Sequence, residues 1–199
     1  MTTRASASKI PLPAAAAGAL LLGGDLEVSR MGFGAMRITG DGIWGPPPDV
    51  EAALTVLKRA QALGVNFIDT ADAYGPDVSE ELIHQALHPY PAGFVVTTKG
   101  GMTRQGPNRW AADCRPEHLR LACDASLQRL GIERHELYQL HAVDSKVPYA
   151  ESVGELGRLQ REGKIRHIGV SNVGVEQLAE ARAIVKVVSV QNRYNVADR

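Results

Sequence analysis

The sequence has no surplus of either charge. Lysine plus arginine and aspartate plus glutamate number 22 each, so no net field recommends a nucleic acid or an anionic membrane as partner. Cysteine is scarce: Cys114 and Cys123 are the two present. Neither a C-x-x-C pair nor a cysteine–histidine cluster at zinc spacing occurs. No metal site is therefore expected, and a reduced, cytoplasmic chain is. No apolar run is long enough to cross a bilayer. The stretch PLPAAAAGALLLGG (11–24) follows Arg4 and Lys9 and so imitates a secretion signal. Pro11, Pro13 and Gly18 interrupt it. The region 17–36 is read instead as two short strands around Gly23-Gly24-Asp25, a hairpin turn signal. No low-complexity linker or charge block divides the 199 residues, which are read as one domain large enough for a substantial core.

What is present is alternation. Helical spacing and end signals predict helices over 49–64, 79–87, 116–131, 149–163 and 174–185. Gly64, Gly131 and Gly163 close three of them. Asp77 or Ser79 is available to cap the second, and Pro116 opens the third. Short apolar or β-branched segments at 31–36, 65–69, 94–99, 137–141, 165–172 and 187–192 predict strands, and 100–115 reads as a long loop. The run at 94–99 suggests burial on both faces. Strands that alternate with helices imply a parallel sheet. Two α/β architectures fit. Six strands suit an open doubly wound sheet by number, whereas a closed (β/α)8 barrel needs eight.

The polar residues separate the two. A dinucleotide-binding open sheet needs a glycine-rich turn after its first strand. GFGAMRITG (32–40) offers Gly32 and Gly34 without the third glycine, and the phosphate-binding G-x-x-x-x-G-K pattern is absent. Instead Asp69, Lys99, His141, Ser171 with Asn172, and Gln191 with Asn192 stand at the C-terminal ends of successive strands. In a barrel those ends form one face, where active sites are built. Singly, each residue has an ordinary explanation: a turn former, a solvated lysine, a satisfied structural histidine. His84, His88, His118, His135 and His167 are left with that explanation. Together the others suit reduction of a carbonyl by a nicotinamide hydride. The cofactor does the hydride chemistry and the protein protonates the nascent alkoxide. Tyr74 could give that proton, but an unperturbed tyrosine has a pKa of about 10. The Lys99 ammonium would lower that value. Asp69 would help hold the charge on Lys99, and a neutral His141 would orient the carbonyl.

The motifs NFIDTADAYG (66–75), VVTTKGG (95–101), LYQLH (137–141), IRHIGVSN (165–172) and VQNRYN (190–195) stand in order and at suitable separations. In these the sequence resembles the aldo-keto reductase superfamily, from the N-terminal hairpin to the last residue. The segment GAMRITGDGIWGPPPD (34–49) resembles the bacterial branch that includes pyridoxal/pyridoxine dehydrogenase-like enzymes. The resemblance implies a (β/α)8 barrel whose base the hairpin closes, with NADPH as cofactor. It implies a tetrad of Asp69, Tyr74, Lys99 and His141, with Tyr74 the acid in reduction and the base in reverse. Ser171, Asn172 and Gln191 would hydrogen-bond the nicotinamide carboxamide, Asp69 would lie near its ribose, and Gly34, Met36 and Arg37 would lie against the nicotinamide end. Trp44 and Trp110 read as substrate-pocket walls or, equally, as packing lids.

The implied reaction is reduction of small aldehydes or ketones, pyridoxal among them. The alternative is a non-catalytic binding or regulatory subunit on the same scaffold, as with the potassium-channel β subunits that resemble this family. Short-chain dehydrogenases need Y-x-x-x-K, and no tyrosine here has a lysine four residues on. Members of the resembling superfamily continue through a seventh and an eighth strand, which carry an aromatic stacked on the nicotinamide and basic residues for the phosphates. This sequence stops at NVADR. The expectation is a barrel with about six of eight strands, a truncated product or one completed by another copy or a partner. Its exposed sheet edges would permit self-association, and NADPH binding by this chain alone would be weak.

Overall fold

A hairpin comes first. The computed structural model describes residues 12–198. A 3-10 turn at Pro13–Ala17 leads into β1 (Ala19–Leu22) and β2 (Leu26–Ser29), which pair antiparallel. Gly23 and Gly24 make the turn at φ 65° and 96°, a conformation glycine adopts without steric cost. Arg4, Lys9 and Pro11 of the signal-like pattern lie outside the described residues. The hairpin packs Leu20, Leu22, Leu26 and Val28 against Phe67 and Val95. Its turn is tied down by three side chains from the far side of the sheet. His167 Nε2 lies 2.7 Å from Asp25 Oδ1, Arg166 Nη2 lies 2.9 Å from Asp25 Oδ2, and Lys186 Nζ donates to Gly23 O at 3.1 Å. His167 thus has the structural partner that its ordinary explanation required.

The main sheet takes β3 (Phe33–Gly34), β4 (Phe67–Asp69) and β5 (Val95–Gly100). A small antiparallel pair, β6 (Met102–Arg104) and β7 (Trp110–Ala112), follows. The sheet then resumes with β8 (His135–Leu140), β9 (Ile165–Ser171) and β10 (Val187–Gln191). Helices α1 (Val50–Ala62), α2 (Val78–Leu87), α3 (Pro116–Leu130), α4 (Tyr149–Arg161) and α5 (Val175–Ile184) connect them. The sheet order is β10-β9-β8-β5-β4-β3, and every neighbouring pair in it is parallel. Each strand of the main sheet therefore lies beside the one before it in the chain. A doubly wound sheet reverses direction at a switch point; this one does not, and its singly wound order is that of a barrel wall. All six residues of β5 are buried, as its β-branched run predicts.

Two apolar clusters hold the helices to the sheet. Leu54, Leu57, Ile68, Leu82, Ile83, Val96 and Leu130 join α1, α2 and α3 to β4 and β5. Leu119, Tyr138, Leu140, Leu156, Ile165, Ile168 and Val170 join α3 and α4 to β8 and β9. Local expectations need two corrections. The 100–115 segment is not a plain loop: it folds back at Gly106 and Asn108, both at positive φ, to make the β6–β7 pair. Neither Asp77 nor Ser79 caps α2 with its side chain. Ser79 Oγ turns inward instead, to Thr70 Oγ1 at 2.7 Å and Ala35 O at 3.2 Å, and so pins the turn after β4 to the start of the helix. Among the described residues no helix is long and apolar enough to cross a membrane.

Candidate active site

Lys99, the penultimate residue of β5, is fully buried. Its ammonium has three donors and meets three acceptors. Nζ lies 2.8 Å from Asp69 Oδ2, 2.8 Å from Thr70 O and 3.4 Å from Tyr74 Oη. The register sets this: Asp69 ends β4 opposite Thr97, so its carboxylate reaches across to the lysine two residues farther along β5. The other carboxylate oxygen, Oδ1, accepts from Gln139 Nε2 at 3.3 Å. Gln139 is buried and also contacts Thr97 Oγ1 at 3.4 Å. Sequence reasoning missed Gln139. Alternation offered only a hint, because Gln139 stands two residues before His141, which lies just past the end of β8.

Tyr74 sits on the turn between β4 and α2, almost fully buried. Its backbone is held at both ends, by Tyr74 N to Ala71 O at 3.1 Å and Ser79 N to Tyr74 O at 3.1 Å. Its ring stands edge-on to His141 at 5.7 Å and to Trp110 at 6.3 Å between centroids. Burial raises the Tyr74 pKa above its ordinary value, and the Lys99 ammonium opposes this without cancelling it. This reverses the expected direction: desolvation of the phenolate outweighs one ammonium that is already shared with Asp69. At neutral pH Tyr74 is a protonated donor.

His141 lies one residue past β8. Burial, helped by the Lys99 charge, pulls its pKa down to about 3. The ring is neutral at physiological pH. Its Nδ1 is buried and has no hydrogen-bond partner among the described residues. An unpartnered lone pair costs less there than an unpartnered N–H, which favours the tautomer with the proton on Nε2. Asp72, between the two key residues of this turn, shapes it through its backbone, with Asp72 N to Lys99 O at 3.3 Å and Asp77 N to Asp72 O at 2.8 Å. Its carboxyl is buried, and desolvation together with Glu80 raises its pKa well above the ordinary range.

The other expected residues fall into two groups. At the ends of β9 and β10, Ser171 Oγ donates to Gln191 O at 2.8 Å, and Asn172 Nδ2 donates to His141 O at 2.9 Å and Ser171 Oγ at 3.1 Å. Asn172 does this in the left-handed region, at φ 56°. Asn192 instead serves the backbone of Val173, on both its N–H and its carbonyl. Gly34 pairs with Asp69 across β3 and β4, and a side chain at Gly34 would meet only open space. Met36 packs with Ile43, Ala71, Tyr74 and Trp110. Arg37 is exposed on the 3-10 turn Ala35–Ile38, away from the tetrad contacts. Trp44 is 37% exposed and forms a bridge with Gly75, whereas Trp110 lies edge-on to both Tyr74 and His141. Among the described residues no group of three or more His, Cys, Asp and Glu side chains is placed to hold a metal ion.

The sequence profile of the Aldo/keto reductase family matches residues 30–199. The chain belongs to the aldo/keto reductase family. The match starts just after the hairpin. The chain is 50% identical over 176 residues to an uncharacterised oxidoreductase of Schizosaccharomyces pombe, covering 88% of this chain and 57% of that one. It is 41% identical over 182 residues to pyridoxine 4-dehydrogenase of Escherichia coli, covering 88% and 64%. In structure it is similar to the glycerol dehydrogenase of Gluconobacter oxydans, with a TM-score of 0.84 at 35% identity, over 92% of this chain and 57% of that one. An aldo-keto reductase of Bacillus halodurans aligns with a TM-score of 0.76 at 30% identity, over 88% and 57%. The chain thus spans between 57% and 64% of the length of these relatives.

Aldo/keto reductases generally use NAD(P)H. The residues present fit its nicotinamide end. Gly34, paired with Asp69, leaves open space where a side chain would stand. Asn172 is exposed, and its amide N–H groups are already spent on protein acceptors, which leaves its carbonyl oxygen as an acceptor. The Gln191 side chain is exposed at the end of β10 and offers both a donor and an acceptor. A planar carboxamide matches that pair of amides.

Proposed function

We propose that this site reduces small aldehydes or ketones to alcohols, with NADPH as the hydride donor and Tyr74 as the general acid. A pyridoxal-type carbonyl is the substrate class that the 41% identity to a pyridoxine 4-dehydrogenase favours. The observation that carries the reading is the contact of Tyr74 Oη with Lys99 Nζ at 3.4 Å, backed by the Lys99–Asp69 pair at 2.8 Å. When bound, the cofactor supplies the hydride. The chain's own residues do the rest. Tyr74 stays protonated because burial raises its pKa, and passes that proton to the carbonyl oxygen as negative charge develops there. Lys99 then faces the phenolate and stabilises it, while Asp69 keeps the ammonium in place. Neutral His141 donates from Nε2 to the same oxygen and fixes the carbonyl's orientation. Asn172 and Gln191 would hold the carboxamide, and the indole of Trp110 closes the substrate side. Hydride and proton add across one C=O bond, which gives one alcohol. A subunit that only bound partners would have no need of all four groups in this arrangement.

The test compares NADPH oxidation by wild type and Tyr74→Phe with pyridoxal and with a nitrobenzaldehyde. The variant should lose about two to four orders of magnitude in rate, the usual worth of a positioned general acid. Equal rates for the two proteins would defeat the assignment.

A further inference from the structure

The geometry points to Arg104 as a positioning residue that shapes the substrate side of the site and so selects which carbonyl compounds enter. This rests on the reductase reading above. Arg104 ends β6, and its guanidinium donates only to backbone carbonyls. Nη1 reaches Ile43 O at 2.6 Å and Ala73 O at 3.0 Å; Nη2 reaches Gly42 O at 2.8 Å and Gly106 O at 3.2 Å; Nε reaches Arg109 O at 3.4 Å. Those carbonyls lie on three separate segments: the loop before α1, the turn that carries Tyr74, and the tip of the β6–β7 hairpin. The guanidinium carbon also lies 3.7 Å from the centroid of the Trp110 ring and 5.9 Å from that of Trp44.

Arg104 makes no hydrogen bond or ion pair with any of the four tetrad side chains. It acts through two neighbours. One is Ala73, whose carbonyl it fixes next to Tyr74. The other is Trp110, whose indole stands 6.3 Å from the Tyr74 ring and 6.2 Å from the His141 ring. Among the described residues Arg104 has no ion-pair partner. Its charge is met by carbonyl dipoles and two indole faces instead. A planar fork of five donors can serve three segments at once, while a lysine ammonium in the same place cannot. The side chain is therefore a three-way clamp beneath the two tryptophans, and the spacing between those walls depends on it.

The chain has two tryptophans, so in a Trp44→Phe background Trp110 is the one indole left. Acrylamide quenching of that indole is compared for Arg104, Arg104→Lys and Arg104→Met. Losing the guanidinium cover should raise the quenching constant at least about twofold in both variants. In proteins that keep both tryptophans, the ratio of kcat/KM for a bulky aromatic aldehyde to that for a small aliphatic one should change by about tenfold, mostly through KM. Unchanged quenching in folded Arg104→Lys overturns the proposal. So does an equal loss of activity on both aldehydes, which is what a purely structural role predicts. If wild type reduces no aldehyde, the reductase reading fails by itself and the quenching comparison still judges Arg104. If both variants fail to fold, quenching of wild-type Trp110 at the level of free tryptophan overturns the clamp, and strong protection supports it.

Discussion

Burial acts in opposite directions on the acid and the imidazole of this site. It raises Tyr74 and lowers His141, so both are neutral at physiological pH around the pair of buried Lys99 and half-buried Asp69. The same physics reaches beyond the site. Tyr90 and Tyr138 are raised by burial, and Tyr149 is pushed up to about 12. On raising the native protein to about pH 10, where free tyrosine half-ionises, no more than one of the five tyrosines should ionise by near-ultraviolet absorbance. Two or more tyrosinates would contradict the burial of Tyr74 or its partners. His135 is the second lowered imidazole. It is buried against Cys123 O at 3.3 Å, and its pKa falls to about 4. The unfolded chain takes up this proton below about pH 6.5, the folded chain only near pH 4. The stabilisation from keeping His135 neutral is complete above pH 6.5 and is lost as pH falls toward 4, about 3 kcal/mol in all. Urea denaturation as a function of pH should show a slope at least that steep in wild type, because His141 adds its own, and a shallower one in His135→Gln.

Element by element, the chain shows how much a single backbone position can carry. Gly100 follows Lys99 in β5, and a methyl group there would collide with Tyr138 Oη and press on Ala122 Cβ at 3.3 Å. Tyr138 is fully buried in the α3–β8 cluster and cannot step aside. Gly100→Ala should destabilise by about 1–3 kcal/mol, the usual cost of overpacking. Adding Tyr138→Phe removes the hydroxyl, which has no hydrogen-bond partner among the described residues, and should restore part of the loss. A double variant no more stable than Gly100→Ala in urea denaturation would show that the collision is not the cause. The motif VVTTKGG made Lys99 conspicuous in the sequence, but nothing in it distinguished a glycine needed for space from one needed for a turn. The β6–β7 pair was likewise illegible: its three-residue strands show no alternation, and a hydrogen-bonded fold-back rather than an apolar face defines them. Ser79 looked like a helix cap. Its hydroxyl went to Thr70 and Ala35 because both are buried beside it.

On the scale of the whole chain, the strand order leaves β3 and β10 without a second neighbour in the main sheet among the described residues. Open edges of this kind pair with other chains unless charge or cover blocks them. β10 carries Val190, which is 44% exposed. The 199-residue polypeptide should therefore gain apparent mass with concentration in light scattering, and Val190→Lys should reduce that gain. A mass that stays monomeric at all concentrations in both proteins would remove the edge as an association surface.

Alternation of apolar strands and capped helices was enough to establish a parallel α/β fold, because a parallel crossover requires a helix and each helix announces its ends. Asp69, Lys99 and His141 stood out as candidates because successive strands end in ionisable groups, and Tyr74 because carbonyl reduction needs an acid near such a lysine. Sequence spacing could not show the order of the strands, the place of Gln139 behind Asp69, or the convergence of three loops on Arg104. Those contacts span 61 residues between Arg104 and Ile43 and 70 between Gln139 and Asp69. No local pattern encodes a hydrogen bond across that distance. The same holds for the direction of the Tyr74 shift, which depended on whether burial or the Lys99 charge was the larger effect, and only packing in three dimensions sets how deeply a side chain is buried.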